Sequence, residues 1–282
     1  MSIDLHCHSK FSDATMDVSE ILELAQLRNI QTISITDHDT FAGSNCAVKL
    51  GQGKAIEIIP GTEISCYDYS RNRKVHIMCY GYEDRTPLEK IFQITNQSRQ
   101  NAAETAIKKV CEIYKIPKSM ILERAKCSTA IYKQHIMHAL LDAGYADELF
   151  GEVLKKLFRP PYGLAVTKNV YPDVFEILNL IRNCGGVAVL AHPDEYNSIE
   201  LMIELCEKNL IDGIEKNHPR NAEETKKLIA ELTEKHQLFT TGGTDFHGGY
   251  SRKGIPLGSF STDYEQLILM KKKILERKWK YV

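Results

Sequence analysis

Apolar residues recur along the chain in two alternating patterns, short β-rich runs and longer stretches with helical spacing. The runs that predict strands are residues 3–8, 32–36, 56–64, 75–82, 187–191, 213–215 and 238–241. The stretches that predict helices are residues 18–28, 174–183, 199–207, 223–235 and 264–276. Because strands that alternate with helices are typical of parallel sheets, we predict an α/β fold with roughly seven β/α units arranged as a barrel.

One segment interrupts this alternation. Residues 87–166 have helical patterns, as in 102–114 and 136–143, and lack strong strand runs. The segment ends near Arg159-Pro-Pro-Tyr-Gly, whose prolines indicate a turn or linker. We therefore predict a barrel in two parts, residues 1–86 and 167–282, separated by a small, mostly helical insertion at 87–166 that covers the active site.

Composition narrows the class of protein. The 282 residues are 43% hydrophobic and 26% charged, as in ordinary soluble proteins. A net charge of −1 argues against the broad basic surface that stable binding of duplex nucleic acid requires, although a local basic pocket for a short single strand stays possible. No apolar run approaches the length of a membrane span. With no signal peptide visible and no Cys-x-x-Cys pair among eight cysteines, we expect a cytoplasmic protein with reduced thiols.

Histidines and carboxylates accumulate near the predicted strands. His6 and His8 flank Cys7 at the end of the first strand, and alternate residues of an extended chain face the same side, so both imidazoles can reach one metal ion. Side chains at the carboxyl ends of parallel strands converge on one site, and we expect the further clusters to join this pair. These clusters are Asp37-His38-Asp39, Glu63, His76, His192 and Asp245-Phe246-His247.

The types of ligand indicate the chemistry. Imidazoles and carboxylates without thiolates favour Zn²⁺, Mn²⁺ or Fe²⁺. About nine potential ligands exceed what a single ion can use, which implies two or three divalent ions. Such a cluster binds phosphate oxygens, lowers the pKa of a bound water and stabilises the leaving oxygen. Hydrolysis of a phosphate ester fits this set of residues, and hydrolysis of an amide stays open.

At these residues the sequence resembles the PHP (polymerase and histidinol phosphatase) superfamily of metal-dependent phosphoesterases. The resemblance implies a distorted (β/α)7 barrel with a dinuclear or trinuclear metal centre on one face. The matching segments, in the order of the family, are Asp4-Leu5-His6-Cys7-His8, Ser12-Asp13, Ile35-Thr36-Asp37-His38-Asp39, Gly61-Thr62-Glu63-Ile64, Val75-His76-Ile77, Leu190-Ala191-His192-Pro193 and Gly243-Thr244-Asp245-Phe246-His247-Gly248.

The resemblance also implies a ligand set for each ion. Glu63 would bridge the first ion and the second. The first ion would be held by His6, His8, Glu63 and Asp245, the second by Glu63, His76 and His192, and the third by Asp13, His38 and His247. All nine positions carry a residue that can bind a metal ion, which argues against a non-catalytic metal-binding module.

The insertion between His76 and His192 resembles that of the stand-alone nucleoside 3′,5′-bisphosphate phosphatases and 5′-to-3′ oligoribonucleotide exonucleases. We therefore expect hydrolysis of a phosphate ester on a small nucleotide or on the end of a short single-stranded RNA, through a hydroxide that bridges two ions. The candidate catalytic residues are His192, His247 and Asp245, and either histidine or a metal-bound water could protonate the leaving oxygen. Histidinol-phosphate phosphatase activity is the alternative within this family, and an amidohydrolase is a weaker one.

Recognition of the substrate should need cations or backbone donors near the metal ions. Lys133-Gln134-His135 lies where the resembling branch has Arg-x-His, and here the arginine is missing or displaced. The candidate substrate-binding residues are Arg99, His135, His218, Arg220 and Arg252.

Overall fold

The computed structural model describes residues 2–251 and 254–279, and within these ranges the chain forms eight strands and ten α-helices. The strands are β1 (Ser2–Cys7), β2 (Ile30–Ile35), β3 (Glu57–Ile58), β4 (Gly61–Asp68), β5 (Arg73–Tyr80), β6 (Val187–Leu190), β7 (Gly213–Asn217) and β8 (Phe239–Gly242). The helices are α1 (Val18–Leu27), α2 (Ala42–Gly51), α3 (Thr86–Tyr114), α4 (Lys118–Arg124), α5 (Lys133–Asp142), α6 (Glu152–Phe158), α7 (Val174–Asn183), α8 (Ile199–Glu207), α9 (Glu223–His236) and α10 (Tyr264–Trp279). The fold is therefore mixed α/β.

The strands form two sheets that are not purely parallel. The smaller sheet has the parallel order β1-β2-β3, and the larger sheet has the order β4-β5-β6-β7-β8. Strand β5 runs antiparallel to both β4 and β6, which contradicts the predicted parallel order at this point. The reason is that a four-residue turn, residues 69–72, joins β4 to β5, and so short a connection permits only a hairpin. The predicted run 56–64 also divides at Pro60 into β3 and β4.

Backbone hydrogen bonds join the two sheets on both sides. On one side, the His8 N–H donates to the Phe246 carbonyl at 2.8 Å, just beyond the ends of β1 and β8. On the other, the Glu63 N–H in β4 donates to the Thr36 carbonyl at 3.0 Å, just beyond β2. These contacts bring the carboxyl ends of β1, β2 and β8 next to the start of β4.

Apolar spacing explains how the helices pack. Val174, Ile177, Leu178 and Ile181 lie on one face of α7, where they are buried against the larger sheet, and the Asp173 side chain caps the helix by accepting from the Phe175 N–H at 2.9 Å. Helices α3 to α6 bury a separate apolar cluster of their own. Leu88 and Phe92, near the start of α3, belong instead to the core of the larger sheet. From Ala103 onward, the segment between β5 and α7 thus has a core distinct from that of the sheets.

Two further observations concern membrane-spanning helices and cysteines. Within the described ranges, no helix is both long enough and apolar enough to cross a bilayer. All eight cysteines lie in the described ranges as free thiols, and Cys7, Cys66, Cys79, Cys184 and Cys206 are buried.

Candidate metal centre

The structure brings all nine predicted ligands into one buried cluster. His6 lies in β1, and most of the others follow a strand, as expected for side chains at the ends of a sheet. Glu63 and His76 do not fit that expectation because they lie inside β4 and β5, where the antiparallel hairpin directs them to the same place. The ligands in loops are His8 and Asp13 after β1, His38 after β2, His192 after β6, and Asp245 and His247 after β8.

Four of these side chains meet at nearly equal distances. His8 Nε2 lies 3.2 Å from His6 Nε2, from Glu63 Oε2 and from Asp245 Oδ1. His6 Nε2 lies 3.4 Å from both of those oxygens. Ligands about 2.0–2.1 Å from a tetrahedral ion are separated by roughly 3.3–3.4 Å. These five separations match those between ligands of one tetrahedral cation.

Glu63 faces a second group with its other oxygen. Its Oε1 lies 2.7 Å from His76 Nδ1 and 2.8 Å from His192 Nε2. Because Oε2 faces the first group and Oε1 the second, one carboxylate can contribute to two adjacent cations.

A third group surrounds Asp13. Its Oδ1 lies 3.3 Å from His247 Nε2 and 3.8 Å from His8 Nδ1, and its Oδ2 lies 3.9 Å from His38 Nε2. Within the described part of the chain, Asp13 Oδ1 is buried without a hydrogen-bond partner. Since buried polar atoms are normally satisfied, this oxygen suits a cation ligand. His38 Nδ1 also lacks a hydrogen bond among the described residues, but it faces Glu63 Oε2 at 3.0 Å, so His38 lies between this group and Glu63. The looser spacing distinguishes this group from the other two.

Burial and neighbouring charges shift the pKa values of the side chains in the cluster. Burial lowers the pKa of His8, but hydrogen bonds to Asp245 and Glu63 outweigh this effect and raise it to about 10. Burial also opposes ionisation of Glu63, yet His76, His38 and His6 hold its pKa well below the usual range. Burial lowers the pKa of His76 to about 4 despite the neighbouring Glu63. A divalent cation would displace protons from the histidines of this cluster.

Glu215 supports two of the ligands, and sequence reasoning did not identify it. His6 Nδ1 donates to Glu215 Oε1 at 2.9 Å, which directs the Nε2 lone pair into the cluster. Glu215 Oε2 accepts from the His192 N–H at 2.9 Å. The signal available in the sequence was a glutamate at the end of the predicted strand 213–215. The structure places it in β7, where it is fully buried.

Two buried aspartates hold the loops that carry the remaining ligands. Asp4 accepts from the Thr244 N–H at 3.0 Å and the Thr244 hydroxyl at 2.6 Å, next to Asp245. Asp37 accepts from the Ser9 N–H at 2.7 Å and the Ser12 hydroxyl at 2.5 Å, next to Asp13. Both carboxylates therefore position loops that carry predicted metal ligands.

His218 lies behind the cluster with a defined tautomer. Its Nδ1 accepts from the Arg220 N–H at 3.1 Å, so the neutral ring carries its proton on Nε2. This buried Nε2 lies 3.6 Å from Asp245 Oδ2 and has no hydrogen-bond partner among the described residues. His218 thus faces a predicted ligand instead of the open cleft.

The other predicted substrate-binding residues that the structure describes have partners within the protein, and two of them, Arg99 and Arg220, also line the cleft over the cluster. Arg99 Nη2 donates to Asp39 Oδ2 at 2.7 Å, and Arg220 Nε lies 3.0 Å from Glu195 Oε2. His135 Nδ1 accepts from the Tyr132 N–H at 3.2 Å and so caps the start of α5. Arg252 lies outside the described residues.

A cleft of about 320 Å³ opens over the cluster. One side, here called the sheet wall, consists of residues from the strands and the loops that follow them, and includes His38, His76 and His192. The other side, the insertion wall, consists of residues from α3 to α6 and the loops between them, and includes Tyr132, Lys133 and Gln134. A small ligand could therefore touch the cluster and the insertion at once.

Three residues at or next to predicted metal ligands have a left-handed backbone conformation. Asp39, His192 and Asp245 have φ values of 51°, 24° and 51°, in the left-handed region that side chains other than glycine rarely adopt. Such conformations persist where the surrounding contacts fix them, and they cluster at functional sites.

Comparison with known proteins identifies the family. The PHP domain model matches residues 4–234. This chain belongs to the PHP domain family. Among relatives of this PHP protein, phosphoribosyl 1,2-cyclic phosphate 1,2-diphosphodiesterase of Eggerthella lenta is 34% identical over 88% of the chain and 95% of the relative.

Other relatives also match over most of their length. The 5′-3′ exoribonuclease Rnm of Escherichia coli is 27% identical over 86% of the PHP chain and 84% of the relative. The 3′,5′-nucleoside bisphosphate phosphatase of Chromobacterium violaceum is 23% identical, with 87% of each chain covered. A structure described as a candidate metal-dependent phosphoesterase from Bifidobacterium adolescentis is 26% identical, with a TM-score of 0.86 over 97% of this chain and 95% of its own. The PHP chain is a metal-dependent phosphoesterase, a hydrolase of phosphate esters.

Proposed function

We propose that the PHP centre binds two or three divalent ions, Mn²⁺, Zn²⁺ or Fe²⁺, and hydrolyses a phosphate ester on a small nucleotide or on the end of a short oligonucleotide. A nucleoside 3′,5′-bisphosphate is the representative substrate. The ions would be held in the three sets that the family resemblance implies, namely His6, His8, Glu63 and Asp245, then Glu63, His76 and His192, and lastly Asp13, His38 and His247. The structure supports them in that these nine residues form overlapping groups whose potential ligand atoms lie within 4.8 Å of one another.

A single observation carries this proposal. The Nε2 atoms of His6 and His8 lie 3.2 Å apart, and each lies 3.2–3.4 Å from the same two carboxylate oxygens, Glu63 Oε2 and Asp245 Oδ1. Packing alone gives no reason for such an approach, since burying so many ionisable groups together is costly unless they are paired or bind a metal. The geometry matches the separation of ligands around a tetrahedral cation.

The same proposal includes the finer architecture. The hydrogen bonds from His8 to Phe246 and from Glu63 to Thr36 support a distorted (β/α)7 barrel that closes across both sheets. The separate apolar cluster of α3 to α6 supports a barrel formed by residues 1–86 and 167–282 with a helical insertion at 87–166.

The names of the relatives support the substrate class. One of them acts on nucleoside bisphosphates and another on RNA from its 5′ end, and the cleft has the volume of a small-ligand site. We further propose that the protein is cytoplasmic and does not bind duplex nucleic acid stably, in line with its net charge of −1.

A second candidate substrate is a cyclic phosphate diester on a phosphorylated ribose. The specific observation in its favour is the 34% identity to the Eggerthella lenta diesterase, over 95% of that relative. Both candidates share a ribose and more than one phosphate group, so the same cleft could serve either.

The residues of the chain have distinct parts in this mechanism. Bound divalent ions would supply an activated water and neutralise charge on the phosphate. Glu215 orients His6, and His218 Nε2–H faces Asp245, so both act by positioning ligands. His247 Nδ1 donates to the Asp245 carbonyl at 2.8 Å, which leaves the Nε2 lone pair facing Asp13. That tautomer suits His247 as a ligand better than as a proton donor. The Nε2 of His192 faces Glu63 Oε1 at 2.8 Å and would likewise serve as a ligand, so neither histidine suits the part of proton donor.

Phosphate release tests the proposal directly. Protein loaded with Mn²⁺ should release phosphate from an aryl phosphate and from adenosine 3′,5′-bisphosphate faster than from histidinol phosphate. His8→Ala should abolish release, and mass spectrometry should find at least two ions in each wild-type chain. A metal-loaded wild type inert on both monoesters and diesters, or a chain with one ion or none, would contradict the proposal.

A further inference from the structure

The cleft contains cationic side chains that are paired with a carboxylate and others that are not. Among the described residues that line it, four are lysines or arginines, namely Lys74, Arg99, Lys133 and Arg220. The two arginines have carboxylate partners, Asp39 for Arg99 and Glu195 for Arg220. The two lysines have no carboxylate within salt-bridge distance in the described part of the chain, and each ammonium lies over an aromatic ring instead. The uncompensated positive charge of the cleft therefore belongs to the lysines.

Lys74 is fixed relative to the metal cluster by the strand that carries it. It precedes His76 by two residues in β5, and such residues project from the same face about 7 Å apart. Its Nζ lies 5.3 Å from the centre of the Tyr171 ring. Lys74 is thus one step along the sheet from a predicted metal ligand, on the side that opens into the cleft.

Lys133 approaches from the opposite wall. It is the first residue of α5, and its Nζ lies 5.4 Å from the centre of the Phe158 ring. Lys133 is exposed to solvent as a whole residue, but the packing around its ammonium, together with the nearby charge of Lys74, lowers its pKa to about 8. Two ammonium groups that repel each other without a shared counterion leave room for an anion between them.

We propose that Lys74 and Lys133 form a second anion site, which holds the non-reacting phosphate of a substrate that carries two phosphate groups. The inference rests on the proposed function, because the reacting phosphate must lie at the metal cluster. It deepens that function by naming the feature that selects the substrate. A singly phosphorylated substrate would leave the pair empty, and histidinol phosphate, whose amine is cationic, would be repelled by it.

Steady-state kinetics on the full-length, Mn²⁺-loaded protein tests this site. The substrates are adenosine 3′,5′-bisphosphate and adenosine 3′-monophosphate, and the variants are Lys74→Met, Lys133→Met, their combination, and Lys133→Arg. In the double variant, kcat/KM for the bisphosphate should fall about 10- to 100-fold, the loss expected for charge-assisted hydrogen bonds. The monophosphate should be hydrolysed nearly as well as by wild type, and Lys133→Arg should retain most of the preference.

Matched controls separate this effect from general damage. Lys108→Met removes an exposed lysine on α3 that does not line the cleft, and it should change neither substrate. Thermal unfolding checks that each variant is folded. Equal losses on both substrates, or no loss on the bisphosphate, would overturn the anion site while leaving the phosphoesterase proposal intact.

A different result would separate the two proposals. If the metal-loaded wild type releases no phosphate from either nucleotide, the proposed function fails by itself. Calorimetric binding of both nucleotides to that same protein then decides the anion site. A bisphosphate preference that the double variant loses would support the site, and equal binding of the two nucleotides would refute it.

Discussion

The two walls of the cleft are built in different ways. On the sheet wall, the predicted ligands are buried or half-buried, and buried carboxylates, Asp4, Asp37 and Glu215, hold them or their loops from behind. The insertion wall is joined to that wall by several hydrogen bonds, such as the one from Gln134 Nε2 to Asp13 Oδ2 at 2.9 Å, but it carries none of the nine predicted ligands. We infer that the sheet wall fixes the chemistry, whereas the insertion wall, which packs around its own core, selects the substrate.

Glu63→Gln should have the largest effect, because it removes the charge of the one carboxylate shared by two groups of the sheet wall. We expect phosphate release to fall to the uncatalysed background and the number of bound ions to decrease. Activity assays and metal analysis of the same preparation measure both changes. Glu224→Gln, at an exposed position of α9, is the matched control. An unchanged metal content would show that Glu63 does not bridge two ions.

Glu215→Gln should have a smaller effect on phosphate release than Glu63→Gln, since Glu215 acts only through the residues it orients. Loss of such a supporting carboxylate typically costs about 10- to 100-fold in metal affinity or activity. A metal titration with a fluorescent chelator would measure the affinity. The KM for the substrate should stay close to that of wild type, and a rise in KM alone would argue that Glu215 contacts the substrate.

Arg99→Met tests the contact between the walls. It leaves Asp39 buried without its partner, for which the expected loss of unfolding free energy is about 3–5 kcal/mol. Urea unfolding measures that loss. Turnover should fall less than in the two previous variants, because the ligands of the sheet wall are untouched. If Arg99→Met removed metal ions as effectively as Glu63→Gln, the two walls would not be independent.

The smallest effect concerns pH. The pKa of His8 is raised from 6.5 to about 10, so the stability it contributes to the metal-free protein is complete below pH 6.5 and is lost as pH rises toward 10. The free energy of unfolding of metal-free protein should therefore decline between about pH 7 and pH 9. Bound metal ions replace the proton, and metal-loaded protein should show a flatter profile. Urea midpoints with and without a chelator compare the two, and parallel profiles would refute the proposed exchange.

Much of the architecture could be predicted from apolar spacing. Helix α7 begins and ends where the periodicity placed it, and the helical character of the segment between β5 and α7 was also evident. Strand direction could not be predicted, because the alternation of side chains is the same in parallel and antiparallel strands. Only the length of the connection between β4 and β5 shows that they form a hairpin.

The site could also be predicted in part, because local sequence patterns show the ligands but not the residues that support them. Histidines and carboxylates with characteristic spacing stand out along the chain, and all nine predicted ligands lie in the cluster. Their supports were harder to identify, since Glu215 is a single residue in a strand and Asp4 resembles an ordinary surface aspartate. The pairing of Arg99 with Asp39 joins residues that are 60 positions apart, and no local pattern encodes it.

The predicted ligand positions extend from residue 6 to residue 247. The backbones of Cys7 and Phe246, next to the two ends of this range, pair in an isolated parallel β-bridge. During synthesis, the first histidine pair therefore leaves the ribosome long before its partners Asp245 and His247. The proposed centre can therefore be complete only after residue 247 has emerged, so its full complement of ions would be acquired after most of the barrel segments have been synthesised.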